Sequence, residues 1–66
     1  MKKLEKKINF LINIIELGIL TRKEAFFEIR SLKGELDELF EPGTDKHQTL
    51  LYLLIDANNL TEDTLI

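Results

Sequence analysis

The chain has 66 residues, a net charge of −3 and a hydrophobic fraction of 44%, values that predict one folded domain and exclude a disordered segment. It has no Cys and one His, which excludes disulfides and argues against a metal as the source of stability. A domain this small then depends on regular helix packing or on self-association.

The apolar stretches of the chain are too short to span a membrane, which takes roughly 20 residues. Lysines precede the mixed stretch 8–20 as they would in a signal peptide, but Asn9, Asn13 and Glu16 interrupt it. No small-residue cleavage motif follows the stretch. We therefore expect a cytoplasmic protein with no membrane partner.

A first helix is predicted over residues 2–17, with more apolar surface than one stripe can hold. The main seam repeats at spacings of three and four residues and consists of Met1, Leu4, Ile8, Leu11 and Ile15. Phe10, Ile14 and Leu17 form a second seam beside it. We expect this helix to be central in the fold or covered by a second chain.

Residues 18–21 predict a tight turn between two antiparallel helices. Gly18 lies where a left-handed residue ends a helix, and Thr21 with Glu24 forms a capping box for the next one. The pattern Gly-Ile-Leu-Thr-x-x-Glu-Ala is similar to the turn of many short helical-hairpin association modules, but it indicates no particular family.

A second helix is predicted over residues 22–40, ended by Pro42–Gly43. Phe27 lies opposite its main apolar stripe, close to the small residues Ser31 and Gly34. Three interpretations of Phe27 follow from this position. It packs within the monomer, it belongs to a dimer or partner surface, or it is exposed without a role. The predicted partner or dimer interface consists of Phe10, Ile14, Leu17, Phe27, Ser31 and Gly34.

A third helix is predicted over residues 45–58, capped by Thr44 or Asp45. The apolar run Leu50–Ile55 is also compatible with a buried strand, but its richness in Leu favours a helix. We expect Asn58–Asn59 to end this helix, and residues 61–66 to form a short terminal turn.

Charge is distributed unevenly along the chain. Residues 1–33 carry eight Lys or Arg and four Asp or Glu, whereas residues 34–66 carry one Lys and eight Asp or Glu. Oppositely charged halves can pair with a second copy or with a charged partner, or simply provide solubility. The predicted electrostatic contacts are Lys2, Lys3, Lys6 and Lys7 in the basic cluster, and Glu35, Asp37, Glu38 and Glu41 in the acidic one.

The fold class expected is therefore all-α, a small three-helix domain completed by homodimerisation.

His47 alone makes no metal or nucleophile site, and we expect a surface or half-buried structural role for it. No cofactor, metal or catalytic residue is predicted, so the chain is expected to be a non-enzymatic module that binds itself and another protein. The alternative is a small DNA-binding regulator that uses the lysine-rich N-terminus. The richness in Lys, Ile, Leu and Asn suits a bacterial accessory protein, of mobile-element or phage origin.

Overall fold

A computed structural model describes residues 2–65, with the side chain of Lys2 left out. It contains three helices, α1 (Lys2–Glu16), α2 (Arg22–Leu39) and α3 (Asp45–Thr64), and no strand within the described range. The predicted all-α, three-helix fold is confirmed, and the run Leu50–Ile55 is helical. Expectations for Met1, for Ile66 and for the Lys2 side chain lie outside the described residues.

The turn between α1 and α2 forms as the sequence predicts. Gly18 has a φ of +72°, which only glycine adopts without strain. Its N–H donates to the Ile15 carbonyl over 3.0 Å, and the Ile19 N–H donates to the Ile14 carbonyl over 3.3 Å. These two bonds form a Schellman motif, which satisfies the last carbonyls of α1.

The start of α2 is fixed by the predicted capping box. The Thr21 hydroxyl accepts from the Glu24 N–H at 3.2 Å, and the Thr21 N–H donates to the Glu24 carboxylate at 2.9 Å. Each of these bonds satisfies a backbone N–H that the helix itself leaves free. The end of α1 and the start of α2 are thus defined by hydrogen bonds within residues 14–24.

The third helix corrects the sequence prediction at its C-terminal end. The chain does not break at Asn58–Asn59, and the described part of the predicted terminal turn, 61–65, is not a separate turn, because α3 continues to Thr64. The reason is tertiary packing, because Ala57 and Thr61 are fully buried and Leu65 is 8% exposed. The Thr61 hydroxyl donates to the Ala57 carbonyl over 2.8 Å, so its burial leaves no unsatisfied polar group.

The core lies where α3 packs against both other helices, and α1 and α2 contact each other much less than either contacts α3. Of the two alternatives expected for α1, the central place is taken by α3, and cover by a second chain stays a prediction. Each helix contributes one stripe to this core. The buried apolar side chains are Leu4, Ile8, Leu11, Ile15, Ala25, Leu32, Leu36, Leu50, Leu54, Ala57 and Leu65.

No helix within residues 2–65 has both the length and the apolar character needed to cross a membrane.

Candidate functional site

An open groove of about 740 Å³ runs between α1 and α2, and the core residues Leu11 and Leu32 contribute to its lining. It exists because both helices pack on α3 and only loosely on each other. Along α2 the groove runs from Thr21 to Glu35, a distance of roughly 20 Å, or four helical turns. Its lining residues are Lys7, Phe10, Leu11, Ile14, Leu20, Thr21, Lys23, Glu24, Phe27, Glu28, Ser31, Leu32 and Glu35.

Two aromatic rings dominate the surface of the groove. Phe10 on α1 is 66% exposed and Phe27 on α2 is 67% exposed, and both line the groove. Each lies on a helix whose other face is fully used by the core, as Ile8 and Leu36 are completely buried. The two rings are thus not part of the buried core of the chain.

The two ends of the groove differ in chemistry. At one end the Lys7 ammonium lies 3.2 Å from the Glu35 carboxylate, an exposed ion pair that links α1 to α2. At the other end lie Thr21 and Glu24 of the capping box, next to the half-buried Leu20. The hydrogen bonds from Thr21, its backbone N–H first and its side chain second, hold the pKa of Glu24 below its usual value. The groove therefore has polar ends, and between them the apolar residues Phe10, Ile14 and Phe27 lie beside the polar residues Glu28 and Ser31.

Four of the six residues predicted as an interface come together in this groove: Phe10, Ile14, Phe27 and Ser31. Leu17 is 72% exposed beside the hairpin turn, outside the groove lining. Gly34 is also exposed and outside the lining, and a Cβ atom placed on it would meet no described atom within 4 Å. The possibility that Phe27 packs inside the monomer is contradicted by its exposure.

The antiparallel hairpin places the basic N-terminus of α1 and the acidic C-terminal half of α2 at the same end of the molecule. Lys7 and Glu35 form an ion pair there within one chain. Asp37 is bonded to Lys33 and His47 rather than left for a partner. Within the described range, the remaining predicted electrostatic residues form no ion pair and are exposed: Lys3, Lys6, Glu38 and Glu41.

A polar contact that the sequence did not reveal joins α2 to α3. His47 is 5% exposed, and its Nε2 atom lies 2.8 Å from the Asp37 carboxylate, whose other oxygen lies 2.6 Å from the Lys33 ammonium. The Lys33 bond, followed by the His47 bond, holds the pKa of Asp37 below its usual value. His47 Nδ1 is buried and has no hydrogen-bond partner among the described residues. The contact serves the fold, since it anchors the first turn of α3 to α2.

Among residues 2–65, no three His, Cys, Asp or Glu side chains lie close enough to hold a metal ion together. What the described surface offers instead is the groove between α1 and α2 with its two exposed aromatic rings. No protein-family model, curated protein or solved structure matches the chain significantly.

Proposed function

We propose that the chain is a small non-enzymatic protein-interaction module that self-associates and binds another protein through the α1/α2 groove. It acts by binding to the partner protein, as a regulator, an inhibitor or an assembly factor. The observation that carries the proposal is the pair Phe10 and Phe27, two aromatic rings about two-thirds exposed on the walls of one groove.

The dimensions of the groove suit a helical ligand. Amphipathic helices bind apolar grooves through anchors spaced three and four residues apart. A groove of about 20 Å along α2 accommodates such anchors over roughly four turns. Burying the two rings supplies the hydrophobic gain, and aromatic side chains are the residues most enriched among binding hot spots.

The walls of the groove are held in place before any ligand arrives. Ile8 and Ile15 on α1 and Leu36 on α2 are completely buried against the core, and the Lys7–Glu35 ion pair links the two helices directly. A preformed site binds without the cost of ordering its own side chains and helices. This rigidity supports a binding role for the groove.

The competing DNA-binding function has weaker support. Lys3 and Lys6 are exposed, but Lys7 is engaged by Glu35 and the acidic residues of α2 lie at the same end. Phosphate binding there would set the DNA backbone beside carboxylates, which repel it. Steeply salt-dependent DNA binding that is lost when Lys3, Lys6 and Lys7 become Gln would favour this function instead.

Selection from a library of helical peptides tests whether the groove binds helices, whatever the natural partner is. The wild-type chain is the bait, and Phe10→Ala and Phe27→Ala are the groove variants. Tyr52→Ala is the matched control, because Tyr52 is 62% exposed but lies on α3. We expect amphipathic peptides that bind the wild type and Tyr52→Ala but lose binding to both groove variants. Peptides that bind all four chains equally would contradict the proposal.

A further inference from the structure

One exposed stripe of α2 is complementary to itself when the helix is reversed. Its residues follow each other at spacings of four, four, three and four, so they share one side of the helix. All five are exposed: Lys23, Phe27, Ser31, Gly34 and Glu38. We call them the outer stripe of α2; Lys23, Phe27 and Ser31 also line the groove.

We propose that α2 of a second copy of this chain packs antiparallel on the outer stripe, along the α2 edge of the groove, with a two-fold axis between Arg30 and Ser31. This inference rests on the proposed function and specifies its self-association. In that register Phe27 of each copy packs over Gly34 of the other, and Lys23 of each copy lies opposite Glu38 of the other.

Gly34 supports this register because the chain's own fold does not require a glycine there. It lies inside α2, where glycine is unfavourable relative to alanine. It has no positive φ, and no described atom comes within 4 Å of the place where its Cβ would be. The missing side chain leaves a notch on the surface, and an aromatic ring from a reversed helix fills such a notch as a knob fills a hole.

The charges of the outer stripe support the same arrangement. Lys23 and Glu38 are 15 residues apart on one helix, roughly 22 Å, too far to meet within one chain. Neither forms an ion pair with another described residue. Reversal of the helix places each opposite the other at both ends of the contact. Complementary charges of this kind fix register and orientation more than they add affinity.

The size of the contact predicts a weak dimer. The contact is confined to one stripe of α2, so it is smaller than a standard interface, which buries about 800 Å² on each partner. A dissociation constant in the micromolar range is therefore expected. The exposed pair Tyr52 and Ile55 on α3 offers another apolar face but has no complementary notch or charge pattern on its helix.

Sedimentation equilibrium from about 10 µM to about 1 mM tests the dimer. The wild type and Tyr52→Ala should approach twice the chain mass of 7.7 kDa. Phe27→Ala removes the aromatic ring and Gly34→Leu fills the notch that receives it. Each substitution should therefore weaken the dimer at least about tenfold. Gly34→Leu also favours the helix, so failure to fold cannot account for its loss of dimer. A monomeric wild type, or a Gly34→Leu chain that dimerises normally, would overturn the proposal.

A charge exchange tests the register. Lys23→Glu and Glu38→Lys chains should each lose self-association, since like charges then meet at both ends. An equal mixture should form a heterodimer, in which both contacts are again between opposite charges. Single variants that dimerise like the wild type, or a mixture that fails to pair, would contradict this register. If helical peptides bind the groove while the wild type stays monomeric, the inference and the self-association part of the proposed function fail, whereas binding of another protein through the groove stands. If the groove binds no peptide and the wild type stays monomeric, both proposals fail.

Discussion

The two faces of the α1–α2 hairpin differ in burial, although the same two helices build both. Toward α3, Ile8, Ile15 and Leu36 are completely buried. On the groove side, Phe10 and Phe27 are about two-thirds exposed. The comparison shows that helix periodicity can place a buried core stripe and an exposed apolar stripe on one element, and that only the first has to be buried for the chain to fold.

The largest expected difference between the faces is in stability. Leu36→Ala should cost about 2–5 kcal/mol, because it removes a buried side chain and leaves a cavity. That is a large part of the roughly 3–10 kcal/mol expected for a domain of this length. Phe27→Ala on the same helix should cost less than about 0.5 kcal/mol, as surface substitutions do. Urea unfolding followed by circular dichroism at low chain concentration measures both; equal losses would place Phe27 in the core.

The two glycines next to these faces should respond to alanine with opposite signs. Gly18→Ala should lower the free energy of unfolding by about 1–2 kcal/mol, because a left-handed φ is strained with a Cβ. Gly34→Ala should raise it by about 0.5–1 kcal/mol, because the helix gains propensity and the added methyl meets no described neighbour within 4 Å. The same unfolding experiment measures both changes. A loss of stability in Gly34→Ala would mean that the notch serves the monomer fold.

Acid should lower the free energy of unfolding by protonating Asp37. Its pKa is held below the usual 3.8 by the bonds from Lys33 and His47, so the folded state favours the ionised carboxylate. The stabilisation is therefore present above pH of about 4 and is lost as the pH falls through the lowered pKa. Unfolding midpoints from about pH 2 to 7 should show the wild type above Asp37→Asn near neutrality, with the difference shrinking in acid. A difference independent of pH would show that the carboxylate charge is not involved.

The smallest effect is expected at the end of the groove. The Lys7–Glu35 pair is exposed, and such pairs contribute about 0.2–1 kcal/mol. A double-mutant cycle with Lys7→Gln and Glu35→Gln should give a coupling energy in that range that falls with added salt. Peptide binding to the groove should change little in either variant. A large loss of binding would make this ion pair part of the binding surface.

The features that the sequence predicted well are those set by neighbouring residues. The turn at Gly18 and the cap at Thr21 depend on contacts within a few positions, so residue types alone specify them. The position of Phe27 off the core stripe follows in the same way from helix periodicity. These local rules also gave helix ends for α1 and α2 that differ from the structure by a single residue.

The features that the sequence missed depend on packing between distant segments. Asn58–Asn59 is a weak helix signal locally, but burial of Thr61 and Leu65 against the other helices overrides it. The contact between Asp37 and His47 forms only once α3 folds back on α2. The groove itself exists because α1 and α2 pack mainly on α3 and only loosely on each other, a relation that no single helix pattern contains.

The most direct test of the proposed self-association through Phe27 is the thermal unfolding midpoint as a function of chain concentration. If the Phe27 face binds a second copy, the midpoint of the wild type should rise from about 1 µM to about 1 mM, because association stabilises the folded chain by mass action. The midpoint of Phe27→Ala should equal the wild-type value at the lowest concentration and stay constant above it. A wild-type midpoint independent of concentration, together with a lower midpoint for Phe27→Ala throughout, would contradict the account and return Phe27 to the folding core.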